Sequence, residues 1–266
     1  MPGEVNPDGS ARPQNGRKIS IYLLPNLLTA GNLTCGFFAM TSIFKYQEGG
    51  SFNPIRAAIR FILAAFLFDF FDGLLARAVH HDSRFGIEFD SLADMVSFGV
   101  VPAFLVYRIV LQDFHRLGIL VAAAYLACSA IRLARFNVLS LCGGSDHEGE
   151  FVGFPIPTAA GLVVSVTLLM MWLAERHPWL GEWRPVLPVL MLVIAVLMVS
   201  TIRYPAFKHF EWTVMRSALT FAAAVFAIIL LALHFHVTLA ALFLSYMLYG
   251  LIRHLVRLAR GRRAAA

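Results

Sequence analysis

The run Asp69-x-x-Asp72-Gly73-x-x-Ala76-Arg77, an eight-residue gap, and Gly86-x-x-x-Asp90-x-x-x-Asp94 places four regularly spaced aspartates within 26 residues, between the apolar flanks 61–68 and 95–105. At about 100° per residue, positions 69, 72, 73, 76 and 77 share an arc of roughly 140° on one helix, and 86, 90 and 94 share roughly 80° on the next. The gap contains His80, His81, Asp82 and Ser83. It is long enough to end one helix, turn and begin another, so two antiparallel helices would turn the four acids toward each other. An Asp at membrane depth costs about 2.5 to 3.5 kcal/mol on insertion scales, and like charges held together repel. A cation is therefore expected among them. An oxygen-only ligand set favours a hard ion, Mg²⁺ or Mn²⁺, and Asp69, Asp72, Asp90 and Asp94 could hold two such ions for phosphoryl transfer. Gly73 and Gly86 leave room beside the acids for a large substrate group. Taken singly, Asp69 or Asp72 could instead form a structural ion pair with Arg77, and Asp90 and Asp94 could face water. Four acids in step with two glycines and Ala76 favour the ion-binding reading.

Hydrophobic residues make up 59% of the 266 positions and the mean hydropathy is +0.71, well above the apolar share of soluble domains. The expected architecture is all-α: a polytopic membrane bundle with apolar runs at 20–44, 58–79, 87–111, 117–138, 155–174, 185–201, 217–235 and 237–254. Each run is long enough to cross a bilayer, giving about eight spans, the last two least separable. Residues 1–18 read as a disordered cytoplasmic arm, 19–256 as one membrane domain and 257–266 as a basic cytoplasmic tail. The first apolar run carries Pro25, Asn26 and Asn32 and no small-residue cleavage site, so it is expected to stay as a span. Placing both termini inside puts 15 of the 22 Lys and Arg on the cytoplasmic side, as the positive-inside bias requires. The acids then lie at the cytoplasmic leaflet. The net charge of +6 and the Arg-rich segment 253–263 suit anionic membrane lipids; basic residues that flank a span and form no separate domain argue against nucleic acid. Cys35, Cys128 and Cys142 lack paired spacing and read as packing residues. The nine histidines lack ligand spacing; His80 and His81 are near the acids by position only.

The run from Asp69 to Asp94 resembles the signature of the CDP-alcohol phosphatidyltransferase family at every defined position. Further segments are similar to the phosphatidylserine synthase branch of that family: Leu24-Pro25-Asn26-Leu27-Leu28-Thr29 with Gly31-Asn32, the run from Glu88 to Gly99, Arg132 to Asn137, Gly153 to Pro157 and Ser200 to Pro205. The resemblance implies transfer of the phosphatidyl group from CDP-diacylglycerol to L-serine, with release of CMP, in a homodimer of the bacterial inner membrane whose active site faces the cytoplasm. It implies that Asp94, the last Asp of the motif, is the general base. Asp69, Gly73, Ala76 and Arg77 would surround the nucleotide and diphosphate, and Asn32 would make a polar contact to the headgroup. Serine carries a carboxylate, so a fixed cation is needed: Arg132 and Arg135, three apart at the inner end of a span, are the candidates for it or for the diphosphate. Positive-inside bias would also put arginines there. Glu88 and Ser97 are secondary candidates, and a serine packed between helices would look the same as Ser97.

Segment 140–153 is polar and is expected to be either a lid over the serine site or a plain linker. Within the family, glycerol 3-phosphate or inositol phosphate could replace serine as acceptor. From another class, a divalent-cation transporter would also cluster intramembrane acids, although such proteins often show internal repeats and none is evident between the halves of this chain.

Overall fold

The computed structural model describes residues 15–48, 50–79, 84–141, 150–176, 185–205 and 234–264. Within them the chain forms α1 (Asn15–Phe44), α2 (Asn53–Val79), α3 (Arg84–Asp94), a π-helical segment (Met95–Val100), α4 (Val101–Ile109), a 3₁₀ turn (Leu111–Phe114), α5 (His115–Leu141), β1 (Glu150–Val152), α6 (Ile156–Arg176), α7 (Val186–Val199), β2 (Arg203–Pro205) and α8 (Phe235–Ala264). The all-α expectation holds, with a single two-stranded ribbon among the described residues.

Among those residues, five helical stretches are long and apolar enough to cross a membrane: Pro25–Phe44, Arg84–Ile109, Leu111–Leu139, Ile156–Arg176 and Phe235–Arg257. Val186–Val199 is apolar but shorter. α2 has the length, 27 residues, but Arg56, Arg60, Asp69, Asp72 and Arg77 interrupt its apolar character. Most of the expected span at 217–235 lies outside the described residues.

Local chemistry explains where these elements start and bend. α2 opens on Asn53-Pro54, with the Asn53 amide donating to Ser51 Oγ at 3.2 Å; proline is suited to a first turn because its missing N–H has no partner there anyway. The helix from Arg84 to Ile109 changes winding at Met95–Val100, just before Pro102. Proline supplies no amide to the carbonyl four residues back, which is that of Phe98. The Tyr125 hydroxyl donates to Phe98 O at 3.2 Å instead. π segments of this kind relieve such a mismatch and gather at functional sites.

Two larger apolar clusters hold the bundle. One joins α4, α5, α6, α7 and α8 through residues such as Val106, Tyr125, Leu162, Met191 and Met247. The other joins α1, α2, α4 and α6 through Ile43, Ile55, Ile59, Ile62, Leu105 and Val164. Large apolar side chains on the outside, among them Phe37, Leu117, Val189, Leu242 and Leu248, are suited to lipid contact, where hydrocarbon replaces water as solvent. At the helix ends remote from the acids, Arg56 of α2 pairs with Glu175 of α6 at 2.5 Å.

Segment 140–153 is not wholly a loop. Its last residues form β1, which pairs antiparallel with β2 in the register Glu150 to Pro205, Phe151 to Tyr204 and Val152 to Arg203. Gly153 follows with φ +81°, and a Cβ there would lie 2.4 Å from Met198 O. Residues 142–149 are outside the described part.

Candidate active site

Asp69 and Asp72 lie in the second half of α2, and Asp90 and Asp94 lie on α3. Because α2 runs toward the 80–83 connection and α3 away from it, all four share one end of the bundle. Carboxylate oxygens of Asp69, Asp90 and Asp94 lie within 4.8 Å of one another. Asp72 is outside that set of three, yet its charge acts on both Asp69 and Asp90. It is 7% exposed and its Oδ2 accepts a hydrogen bond from Thr29 Oγ1.

α1 supplies the wall against these acids. It packs against both α2 and α3. Asn32, fully buried, donates from Nδ2 to Asp94 Oδ1 at 3.0 Å. The amide orientation follows from chemistry, since an ionised carboxylate only accepts. Asn32 Oδ1 and Asp90 Oδ1 are buried with no hydrogen-bond partner among the described residues. Buried acceptors without donors are rare in native folds, and both lie where a ligand or cation could satisfy them. The remaining donor set is all oxygen, so the residues present fit a divalent cation of the Mg²⁺ or Mn²⁺ kind.

Room for a large group exists beside the acids: a Cβ on Gly73 would meet nothing within 4 Å. Gly86 is half-buried on the first turn of α3. Ala76 and Arg77 belong to the last turns of α2, where only the backbone is described, and His80, His81, Asp82 and Ser83 lie outside the described residues.

The two candidate arginines separate. Arg132 is 8% exposed, lies 5.4 Å over the Phe136 ring, and its charge is felt at Asp94 and at Tyr246. Arg135, one turn on, is exposed, as is Glu88 on α3. Ser97 is fully buried in the π segment, and its hydroxyl donates to Asn32 O at 3.1 Å. It thus ties the π segment to α1 next to the acids.

Sequence reasoning missed Thr29 and Asn137. Asn137 Nδ2 donates to Ser91 Oγ at 2.9 Å, linking α5 to α3 between Asp90 and Asp94. The available signal for Thr29 was its spacing: Thr29 and Asn32 are three apart and share a helix face. The ribbon was missed as well. It buries Tyr204, whose ring packs edge-on against Phe154 at 5.1 Å and beside Tyr246 at 5.8 Å.

The sequence profile of the CDP-alcohol phosphatidyltransferase family matches residues 22–200. A CDP-diacylglycerol--serine O-phosphatidyltransferase of Helicobacter pylori is 38% identical over 238 residues, covering 88% of this chain and 92% of that protein. The protein of that name from Bacillus subtilis is 33% identical over 186 residues, 70% of this chain and 91% of its own length. An archaetidylserine synthase of Methanothermobacter thermautotrophicus is 37% identical over 194 residues, 72% of this chain and 73% of its own.

Proposed function

Because the chain belongs to the CDP-alcohol phosphatidyltransferase family, we propose that its acidic cluster transfers the phosphatidyl group of CDP-diacylglycerol to the hydroxyl of L-serine, making phosphatidylserine and CMP. The observation that carries the reading is the meeting of Asp69, Asp90 and Asp94 oxygens within 4.8 Å, at the end of the bundle where α1, α2 and α3 converge. The names of the bacterial and archaeal relatives share serine, which favours it over glycerol 3-phosphate or inositol phosphate. Family membership sets aside the cation transporter.

Asp69, Asp72, Asp90 and Asp94 would hold two divalent ions, Mg²⁺ or Mn²⁺. When bound, such ions neutralise the diphosphate and the charge developing on the leaving nucleotide. The side chains do the rest. The serine oxygen forms a bond to the phosphorus that carries the diacylglycerol, the bond from that phosphorus to the CMP oxygen breaks, and the hydroxyl proton passes to Asp94. General-base assistance of this kind is worth about 10² to 10⁴ in rate. The Asn32 amide holds the Asp94 carboxylate from one side, leaving the other oxygen for the proton. Asn32 Oδ1 is an acceptor for an N–H or O–H of a substrate headgroup.

Gly73 gives the nucleotide space beside Asp72, with Ala76 and Arg77 one turn further along α2. Arg132 is assigned to the serine carboxylate: it is buried, fixed by Phe136 and felt electrostatically at Asp94, and Arg carries two parallel donors for such a group. Arg135, Glu88 and Ser97 are secondary, the first two at the rim and the third beneath Asn32. The enzyme works as a homodimer in the bacterial inner membrane with this site toward the cytoplasm and anionic lipid around its basic ends, a placement favoured by the positive-inside bias, since the eight spans expected from the sequence put 15 of the 22 Lys and Arg on that side.

Membranes containing the protein and labelled CDP-diacylglycerol, supplied separately with serine, glycerol 3-phosphate or inositol phosphate, test the reading. CMP release with serine alone is expected; turnover only with another acceptor would overturn it.

A further inference from the structure

Two side chains of α1 touch two different acids of the motif. Thr29 reaches Asp72 on α2 and Asn32 reaches Asp94 on α3. Thr29 is 1% exposed, and its oxygen also lies 3.1 Å from Pro25 O. A hydroxyl has one proton, and an ionised carboxylate is the stronger acceptor, so the proton goes to Asp72. Three residues along a helix turn about 300° and rise about 4.5 Å, so one face of α1 spaces the two contacts.

The register of α1 is held on both sides. A Cβ on Gly31 would lie 2.9 Å from the Phe68 ring of α2, one residue before Asp69, and a Cβ on Gly36 would lie 2.5 Å from Ser97 Oγ. The Ser97 hydroxyl in turn bonds the Asn32 carbonyl. A slip of α1 by one residue would rotate its face by about 100°, losing the Thr29 and Asn32 contacts together and driving side chains into Phe68 and Ser97.

We infer that Thr29 and Asn32 are positioning residues: α1 is a clamp that sets the separation and orientation of the carboxylates contributed by α2 and α3. Groups behind metal-binding carboxylates fix the oxygens that coordinate, and losing one typically costs 10- to 100-fold in affinity or activity. The inference deepens the transferase reading and relies on it only for the turnover readout.

The test uses the full chain purified in detergent, with Mn²⁺ binding followed by electron paramagnetic resonance and CMP release measured alongside. Thr29→Val, nearly the same shape without the proton, should weaken Mn²⁺ binding about tenfold or more, and Thr29→Ser should restore it. Asn32→Leu should lower kcat, measured at saturating CDP-diacylglycerol, by about 10- to 100-fold, any rise in KM reporting the lost headgroup contact. If Thr29→Val fails to fold, Thr29→Ala, which adds no clash, takes its place, and the Asn32→Leu arm stands independently. A folded Thr29→Val or Thr29→Ala protein with wild-type Mn²⁺ affinity overturns the Thr29 assignment, and unchanged kcat in Asn32→Leu overturns that of Asn32. Wild-type protein that binds Mn²⁺ in a Thr29-dependent way but makes no CMP with serine would leave the clamp standing and remove the transferase reading.

Discussion

Asn32 and Asp94, 62 residues apart in sequence, meet in a 3.0 Å hydrogen bond between α1 and α3. The bond uses one carboxylate oxygen and requires only that Asp94 accept. Asp94→Asn can keep that contact through its amide oxygen, so the substitution removes the base while sparing the packing. CMP release should fall by about 10² to 10⁴, with CDP-diacylglycerol binding retained. Turnover within a few-fold of wild type would take the proton-accepting role away from Asp94.

Three carboxylates brought this close repel one another, and a cation among them relieves that repulsion. Stripping divalent ions with a chelator should abolish CMP release, and Mg²⁺ or Mn²⁺ should restore it. Asp90 carries a buried oxygen with no partner among the described residues. Asp90→Ala should therefore leave an enzyme that excess metal does not rescue. Full activity of either preparation in chelator would contradict the assignment of these acids as ligands.

Burial distinguishes the two arginines that spacing alone had paired. Arg132→Ala should raise KM for serine at least tenfold, the loss of about 1.4 kcal/mol or more of binding, because a charge-assisted contact is lost from a buried site. Arg135→Ala should change that KM by less than about threefold. Initial-rate measurements across serine concentrations decide the matter, and equal effects would return both residues to the same pocket.

Much of this was legible because membrane depth leaves few explanations for an acid. The four Asp, their two helices and their common end all follow from charge cost and helical period. The tertiary partners were harder to see. Thr29 is an ordinary helix residue until α2 places Asp72 against it, and Arg132 and Arg135 look equivalent until packing buries one. The π segment needed the joint effect of Pro102 and the Tyr125 hydroxyl, which lie on different helices. The three-residue strands carry too little alternation to register as a pattern, so segment 140–153 read as loop.

Gly36 packs α1 directly against the π segment. A methyl group there would sit 2.5 Å from Ser97 Oγ and 3.2 Å from Ser97 Cα. Overpacking of this kind costs about 1 to 3 kcal/mol, so Gly36→Ala should lower the thermal midpoint and also depress activity, as α1 backs away from Asp94. Adding Ser97→Ala removes the hydroxyl and leaves the close backbone approach in place. The double variant should recover part of the loss, giving a coupling between the two sites in thermal unfolding. Additive effects would mean that the helices do not approach as closely as this.

The Tyr204 ring packs well and its hydroxyl does not. The residue is fully buried on β2 and the hydroxyl has no partner among the described residues. Leaving such a group unpaired costs about 1 to 3 kcal/mol, so Tyr204→Phe should keep or raise the thermal midpoint. Burial, with the neighbouring Tyr246 adding to it, pushes the Tyr204 hydroxyl up to about 12 from its ordinary value of 10.0. The folded state therefore holds the proton more tightly than the unfolded chain. The sign follows: this contribution to stability is fully present below about pH 10 and is lost as pH rises toward about 12. Between those limits the wild-type midpoint should fall more steeply than that of Tyr204→Phe, a difference that cancels the titration of groups not coupled to Tyr204. Parallel curves for the two proteins would mean that Tyr204 reaches water or a partner in the folded state.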